Sequence, residues 1–108
     1  MSKNMLDIKI IRKYVAMRRI EWTKHCLKRI NQRNILTIDI KMAINNGKII
    51  EYYAEDYPYP SCLILGNGTT DETLHIVCGI CNEKLYIITA YNPDTDNWEE
   101  DMKTRRKE

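Results

Sequence analysis

The stretch Asn45–Tyr53, Asn-Asn-Gly-Lys-Ile-Ile-Glu-Tyr-Tyr, marks the point at which the hydrophobic period of the chain changes. Two asparagines followed by glycine are a strong signal for the end of a helix. From Lys48 onward, apolar and aromatic residues form short runs that favour strands. The stretch therefore divides the chain into a helical part before it and a strand-rich part after it.

The part before this stretch predicts three helices. Apolar residues recur at helical spacing over about residues 5–18, where Asn4 and Asp7 resemble a capping box. Thr23 is a suitable N-cap for a second helix, and Thr37 is suitable for a third. Between the first two helices, residues 20–22 are expected to form a short extended linker.

The part after Gly47 predicts four strands, because apolar runs alternate there with short polar turns. Short connections favour antiparallel pairing of consecutive strands. We therefore expect an α+β fold with three N-terminal helices followed by a four-stranded antiparallel sheet, with the helices on one face and the other face free. A single domain is expected over residues 1–98. Residues 99–108 are expected to be a charged, mobile tail unless Trp98 holds its start.

The charge of the chain is divided unevenly between its two halves. Residues 1–50 hold 12 Lys/Arg against 3 Asp/Glu, whereas residues 51–108 hold 5 against 12. Such asymmetry indicates either a basic surface that binds phosphates or two halves that attract each other. The N-terminus fits neither a signal peptide nor a membrane anchor, so a cytoplasmic protein without membrane contact is expected.

The four cysteines are expected to be small buried residues, and no metal site or cofactor is predicted. Cys78 and Cys81 have the spacing of a zinc or redox pair. On a strand, however, residues three apart face opposite ways, and the sequence offers no second ligand pair with matching spacing.

The second predicted helix carries one continuous basic and hydrogen-bonding arc. No acidic residue lies between Glu21 and Asp39, so nothing nearby neutralises it. Like charges four residues apart repel each other on a helix, and an anionic partner would relieve that repulsion. We call the residues on this side of the helix the basic arc: Lys28, Gln32, His25, Arg29 and Arg33.

His75 and Tyr91 lie on the last two predicted strands, and their relation depends on the register of the hairpin. A two-residue turn at Asn82-Glu83 would place His75 opposite Ala90, with Tyr91 on the other side of the sheet. A turn longer by one residue, or a β-bulge, would place His75 directly opposite Tyr91. The sequence leaves both registers open.

Four short motifs follow one another along the chain. The helix pattern His25-x3-Arg29-x3-Arg33 is followed by Pro58-Tyr59-Pro60-Ser61, by Leu74-His75-Ile76-Val77 and by Ile88-Thr89-Ala90-Tyr91. Together they resemble a family of small, largely uncharacterised bacterial domains, over about residues 20–93. That family looks distantly related to RelE/ParE-type toxins and is often encoded beside a zinc-finger antitoxin. The resemblance implies a RelE-like fold and places the recurrent positions of the family on His25, Arg29, Arg33, His75 and Tyr91.

These features favour a metal-independent endoribonuclease toxin of a type II toxin-antitoxin system, which cleaves RNA through its own 2′-hydroxyl. His75 would be the general acid or base, with His25 or Tyr91 as its complement, and Arg29 would stabilise charge on the phosphate. The side chains expected to hold the RNA backbone are Arg33, Lys28 and Lys24.

The alternative is a non-catalytic interaction module that binds an acidic protein partner or nucleic acid. ParE-like inhibition of a topoisomerase belongs to this alternative.

Overall fold

A computed structural model describes residues 6–107 of the chain. These residues form three helices and five strands in an α+β arrangement. Their bounds are α1 Ile8–Ala16, β1 Ile20–Trp22, α2 Lys24–Gln32, α3 Thr37–Asn46, β2 Lys48–Tyr53, β3 Ser61–Asn67, β4 Thr73–Cys81 and β5 Lys84–Tyr91.

The predicted sheet is wrong in two respects. It has five strands, in the order β1-β5-β4-β3-β2, and β1 pairs with β5 in parallel. The extra strand is the segment Ile20–Trp22, which was expected to be a linker and which separates α1 from α2. Three residues are too few to show a hydrophobic period, so local sequence did not reveal that this segment pairs with β5.

Local sequence does explain where the helices begin. Thr23 caps α2 as predicted, because its side chain accepts a hydrogen bond from the backbone N–H of Cys26. α1 starts after Asp7, whose carboxylate accepts from the N–H of Lys9; the predicted cap Asn4 lies outside the described residues. Thr37, the predicted N-cap of α3, is instead its first residue, and the N-cap is Leu36, whose N–H donates to the Asp39 carboxylate.

The main core lies between the three helices and one face of the sheet, and we call this the helix face. Fully buried members from the helices, such as Ile11, Cys26 and Ile40, pack with strand residues such as Ile64 and Ile76. Burial of these apolar side chains supplies the main driving force for the fold. No helix within residues 6–107 is long and apolar enough to cross a membrane.

Gly66 lets α3 approach β3 at backbone distance. A Cβ atom at this position would collide with the carbonyl oxygen of Ala43, a backbone atom in α3. We expect Gly66→Ala to lower the free energy of unfolding by about 3 kcal/mol, because neither backbone can move freely in a packed core. Urea unfolding measures the change. Gly68→Ala is the control: its Cβ would meet only the flexible Glu72 side chain, so a larger loss there would contradict this account.

The opposite face of the sheet, which we call the outer face, is not free. Beyond β5, residues 94–106 fold back across it, and we call this segment the C-terminal cover. Trp98 pairs with Arg105 in an isolated β-bridge, and the Trp98 side chain is only 3% exposed. Trp98 thus holds the start of the tail, which was the condition attached to its predicted mobility.

Candidate functional site

A β-bulge places His75 opposite Tyr91. The hairpin has the two-residue turn, since Cys81 pairs with Lys84, but the register shifts between Val77 and Cys78. The shift leaves Ile88 as an extra residue on β5 and brings His75 and Tyr91 into register. The Nδ1 atom of His75 lies 3.3 Å from the Tyr91 hydroxyl. Of the registers left open by the sequence, the structure has the bulged one.

His75 is completely buried beneath the C-terminal cover. Its Nε2 lies 2.6 Å from the carbonyl oxygen of Met102, so Nε2 carries the proton and donates to that oxygen. Nδ1 is then the acceptor for the Tyr91 hydroxyl. The indole ring of Trp98 packs edge-on against the imidazole, with ring centroids 4.5 Å apart. Each ring nitrogen of His75 therefore has a hydrogen-bond partner, and the side chain is not accessible to solvent.

An ion pair fastens the cover to the sheet. Arg105 donates two hydrogen bonds to the Glu51 carboxylate, at 2.9 and 3.1 Å, and its guanidinium also lies 4.6 Å from the centre of the Trp98 ring. Tyr53 donates a third hydrogen bond to Glu51. Bidentate arginine–carboxylate pairs have a defined geometry, and so the contact fixes the direction of the cover as well as its position.

Burial and these contacts change the ionisation of four groups. Burial lowers the pKa of His75, although the Met102 hydrogen bond and the charge of Glu51 oppose the effect. Burial raises the pKa of Tyr91, and burial together with the Glu51 hydrogen bond raises the pKa of Tyr53 to about 12. Burial opposes ionisation of Glu51, but hydrogen bonds from Arg105 and Tyr53 outweigh it and lower the pKa of that carboxyl. At neutral pH His75 is therefore neutral and Tyr91 keeps its proton.

Acidification should weaken the fold through His75. Because the folded-state pKa of His75 is lowered, the unfolded chain binds more protons below about pH 6.5, and the free energy of unfolding falls as pH drops. Urea unfolding at pH 7, 6 and 5 should show a steeper loss for the wild type than for His75→Gln. Glu51 does not add to this difference between the two slopes. Because the pKa of Glu51 is lowered, its contribution to the free energy of unfolding is lost only at lower pH. Equal slopes for the two proteins would contradict the assignment.

The basic arc meets the sheet beside Tyr91. The Nη1 atom of Arg33 donates to the carbonyl oxygen of Ala90 at 2.8 Å and to the Thr89 hydroxyl at 3.3 Å. Arg29 lies one helical turn earlier on α2 and is exposed, as are Lys24 and Lys28. Cys26 and Ile30, which lie outside the arc, are buried and anchor α2 to the core.

His25 lies in a different place from His75. It lines a cavity of about 280 Å³ with Thr23, the segment Asp56–Tyr59 and the bulged residue Ile88. The structure thus brings together His75, Tyr91 and Arg33 at one end of β5. It does not bring His25 or Arg29 into contact with His75.

Four residues at this site were not among the predicted site residues. Glu51 and Tyr53 lie on β2, and Trp98 and Arg105 lie in the C-terminal cover. Glu51 stands between Ile50 and Tyr52 in a strand of otherwise apolar and aromatic residues. An isolated acidic residue in such a strand is a signal that could have marked Glu51 as a candidate. The long-range partners of Trp98 and Arg105 leave no local pattern.

Within residues 6–107, no group of three or more His, Cys, Asp or Glu side chains is arranged to hold a metal ion. Cys78 faces Cys62 across β3 and β4, with their sulfur atoms 4.0 Å apart in the core. The Cys62 contact and burial raise the pKa of Cys78, so the Cys78 thiol is protonated. Both cysteines are buried in the core, as expected of small apolar residues.

These observations define a small α+β domain with a histidine–tyrosine pair on its sheet and a basic helix beside it. Residues 22–92, well over half of the chain, match the family of domains of unknown function designated DUF4258. The chain belongs to this family, and the resemblance to an uncharacterised family is thereby confirmed. Comparison with curated proteins and with solved structures found no match. The matched region contains His25, Arg33, His75 and Tyr91, and the C-terminal cover lies beyond it.

Proposed function

We propose that the protein is a metal-independent endoribonuclease that binds RNA along α2 and cleaves it at His75 and Tyr91. One observation carries the proposal. Arg33, at the end of the basic arc, donates to the carbonyl oxygen of Ala90, the residue next to Tyr91, and the Tyr91 hydroxyl in turn contacts His75. A phosphate chain held on exposed cations of α2 would therefore lead to a pair of proton-transfer groups.

The proposed reaction needs no protein nucleophile. The 2′-oxygen of the RNA attacks the adjacent phosphorus and the bond to the 5′-oxygen breaks, which leaves a 2′,3′-cyclic phosphate and a free 5′-hydroxyl. One group must take the proton of the 2′-hydroxyl, and another must give a proton to the leaving 5′-oxygen. Arg29 and Arg33 would stabilise the charge that develops on the phosphate.

His75 and Tyr91 suit these two tasks once Nε2 of His75 is free. With the imidazole proton on Nδ1 and directed to the Tyr91 oxygen, Nε2 becomes the base. The Tyr91 hydroxyl then directs its own proton elsewhere, and because a phenol keeps its proton at neutral pH, that proton is available for the leaving oxygen. His25, the other candidate acid, lies in the cavity beside Ile88. Lys24 and Lys28 would hold the RNA backbone.

Cleavage requires the C-terminal cover to leave. In the covered state the Met102 carbonyl oxygen occupies the position at which Nε2 of His75 would meet an RNA oxygen, and Trp98 closes the side. Displacement would also remove Arg105 from Glu51 and leave a carboxylate on the same sheet face as His75. Because opening a local segment costs less than unfolding the domain, the covered and open states can exchange.

The experiment that tests the proposal is incubation of the purified protein with RNA in EDTA. We expect fragments that end in 2′,3′-cyclic phosphate, and we expect expression in bacterial cells to arrest growth. Intact RNA together with harmless expression would contradict the proposal. Growth arrest with intact RNA would favour a non-catalytic interaction module.

The complete burial of His75 favours a second candidate function, an interaction module that never uncovers its histidine. In that case α2 binds nucleic acid or an acidic protein through charge alone. Leu36 and Ile38 are 61% and 54% exposed beside α2, which suits a protein partner. A ParE-like inhibitor of topoisomerase is one form of this module. His75→Gln separates the two functions, because only the enzyme depends on proton transfer.

The motif resemblance supports three further parts of the proposal. The family would be distantly related to RelE/ParE-type toxins, although the sheet differs from the one that the resemblance implied. A zinc-finger antitoxin would be the protein partner. The site of action would be the bacterial cytoplasm, where messenger RNA is available. Co-expression with the product of the neighbouring gene would test the partner by rescue of growth.

A further inference from the structure

We infer that the cavity between α2 and the segment Asp56–Tyr59 binds one unpaired RNA base. The inference rests on the proposed RNA binding and adds to it the position of a base. The cavity is lined by Thr23, His25 and Ile88 on one part of its wall and by Asp56, Tyr57, Pro58 and Tyr59 on the rest. It lies at the start of α2, where the exposed Lys24 stands in the chain between the lining residues Thr23 and His25, and where the proposed RNA backbone would pass.

Contacts with neighbouring strand residues hold two walls of this cavity, Tyr59 and Asp56, in place. Tyr59 lies directly over Gly79, where a Cβ atom would come within 2.7 Å of the tyrosine ring, and it packs on Tyr86 with ring centroids 5.4 Å apart. Ser61 donates a hydrogen bond of 2.5 Å to Asp56, which fixes that carboxylate. Ile88 is the residue added by the bulge that brings His75 and Tyr91 into register. One irregularity of β5 thus shapes both sites.

The chemistry of the lining selects a base and not a phosphate. The carboxylate of Asp56 repels phosphate and accepts hydrogen bonds from N–H groups, which nucleobases present on their pairing edges. The ring of Tyr57 is 94% exposed and offers a free aromatic face for stacking. The His25 ring has no hydrogen-bond partner among residues 6–107 and is open to a ligand. The Thr23 oxygen accepts the hydrogen bond that caps α2, and its O–H is left to donate to a ligand.

Binding of short labelled RNA to the full-length protein tests this inference, with intact RNA compared to RNA that carries one abasic position. We expect the wild type to bind the intact RNA more tightly and Tyr57→Ala to lose about tenfold in affinity for it, as when one stacked base is lost. Tyr57→Ala should bind the two RNAs equally. Tyr52→Ala is the matched control, because Tyr52 is also exposed but lies outside the cavity. Equal losses in the two variants, or continued discrimination by Tyr57→Ala, would overturn the inference.

A nucleoside distinguishes failure of this inference from failure of the proposed function. Guanosine has no phosphate, and so its binding does not depend on the cations Arg29 and Arg33. We expect it to shift the NMR signals of the His25 ring in the wild type and not in Tyr57→Ala, even if RNA is never cleaved. Guanosine without effect on His25 would overturn the base site. RNA binding that tolerates loss of the base but depends on Arg29 and Arg33 would leave the proposed function standing.

Discussion

Trp98→Ala is expected to uncover His75 and to raise the rate of RNA cleavage. Replacing a buried tryptophan by alanine costs about 3–5 kcal/mol, and here the cost falls on contacts that hold the C-terminal cover. That energy would raise the population of the uncovered state by more than about 100-fold. The chain has two histidines, so the His75 ring gives an assignable NMR signal, and its pKa should rise towards the ordinary value once burial is lifted.

Two controls separate uncovering from general damage. Lys103→Ala changes an exposed residue of the same segment and should leave both the His75 signal and cleavage unchanged. Arg105→Glu should uncover His75 by repulsion from Glu51, and the double exchange Glu51→Arg with Arg105→Glu should restore the cover. A Trp98→Ala protein that stays folded, with a solvent-exposed His75 and no gain in cleavage, would contradict the role of the cover.

His75→Gln is expected to lower cleavage by about 100-fold or more, the usual contribution of a positioned acid or base. Glutamine can still donate to the Met102 carbonyl oxygen and contact Tyr91, but it cannot exchange a proton near neutral pH. RNA affinity should be unchanged, because the cations of the basic arc remain. The measurement compares cleavage and binding in the Trp98→Ala background, where the site is open in both proteins.

Tyr91→Phe tests the other member of the proposed catalytic pair. It keeps the ring that packs on His75 and removes the hydroxyl at Nδ1, so cleavage should fall while folding persists. If His75→Gln and Tyr91→Phe both cleave like their parent, the pair takes no part in catalysis. Retained RNA binding with no cleavage by any variant would establish the interaction module instead.

The sequence was sufficient for features that depend on neighbouring residues. Thr23 caps α2 as predicted, and the capping oxygen lies three residues from the Cys26 N–H that donates to it. The buried side of α2, with Cys26 and Ile30, also follows from helical spacing. In each case the relevant partner lies within one or two turns of the chain.

Features that depend on distant partners escaped prediction. β1 is a strand only because β5 offers it an edge, and residues 20–22 alone do not show this. The bulge at Ile88 was one of two options, since hydrophobic alternation does not reveal an inserted residue. The contact of Met102 with His75 joins residues 27 positions apart through a backbone oxygen, which no side-chain pattern encodes.

The most direct test of the central claim uses two RNAs that differ in one atom. The Trp98→Ala protein is incubated in EDTA with an RNA that it cleaves at a mapped position, and with the same RNA carrying a single 2′-deoxy nucleotide at that position. The account predicts cleavage of the first RNA to a 2′,3′-cyclic phosphate and no cleavage of the second at that position. Cleavage of both RNAs at that position would contradict it, and so would a Trp98→Ala protein that cleaves no RNA at any position.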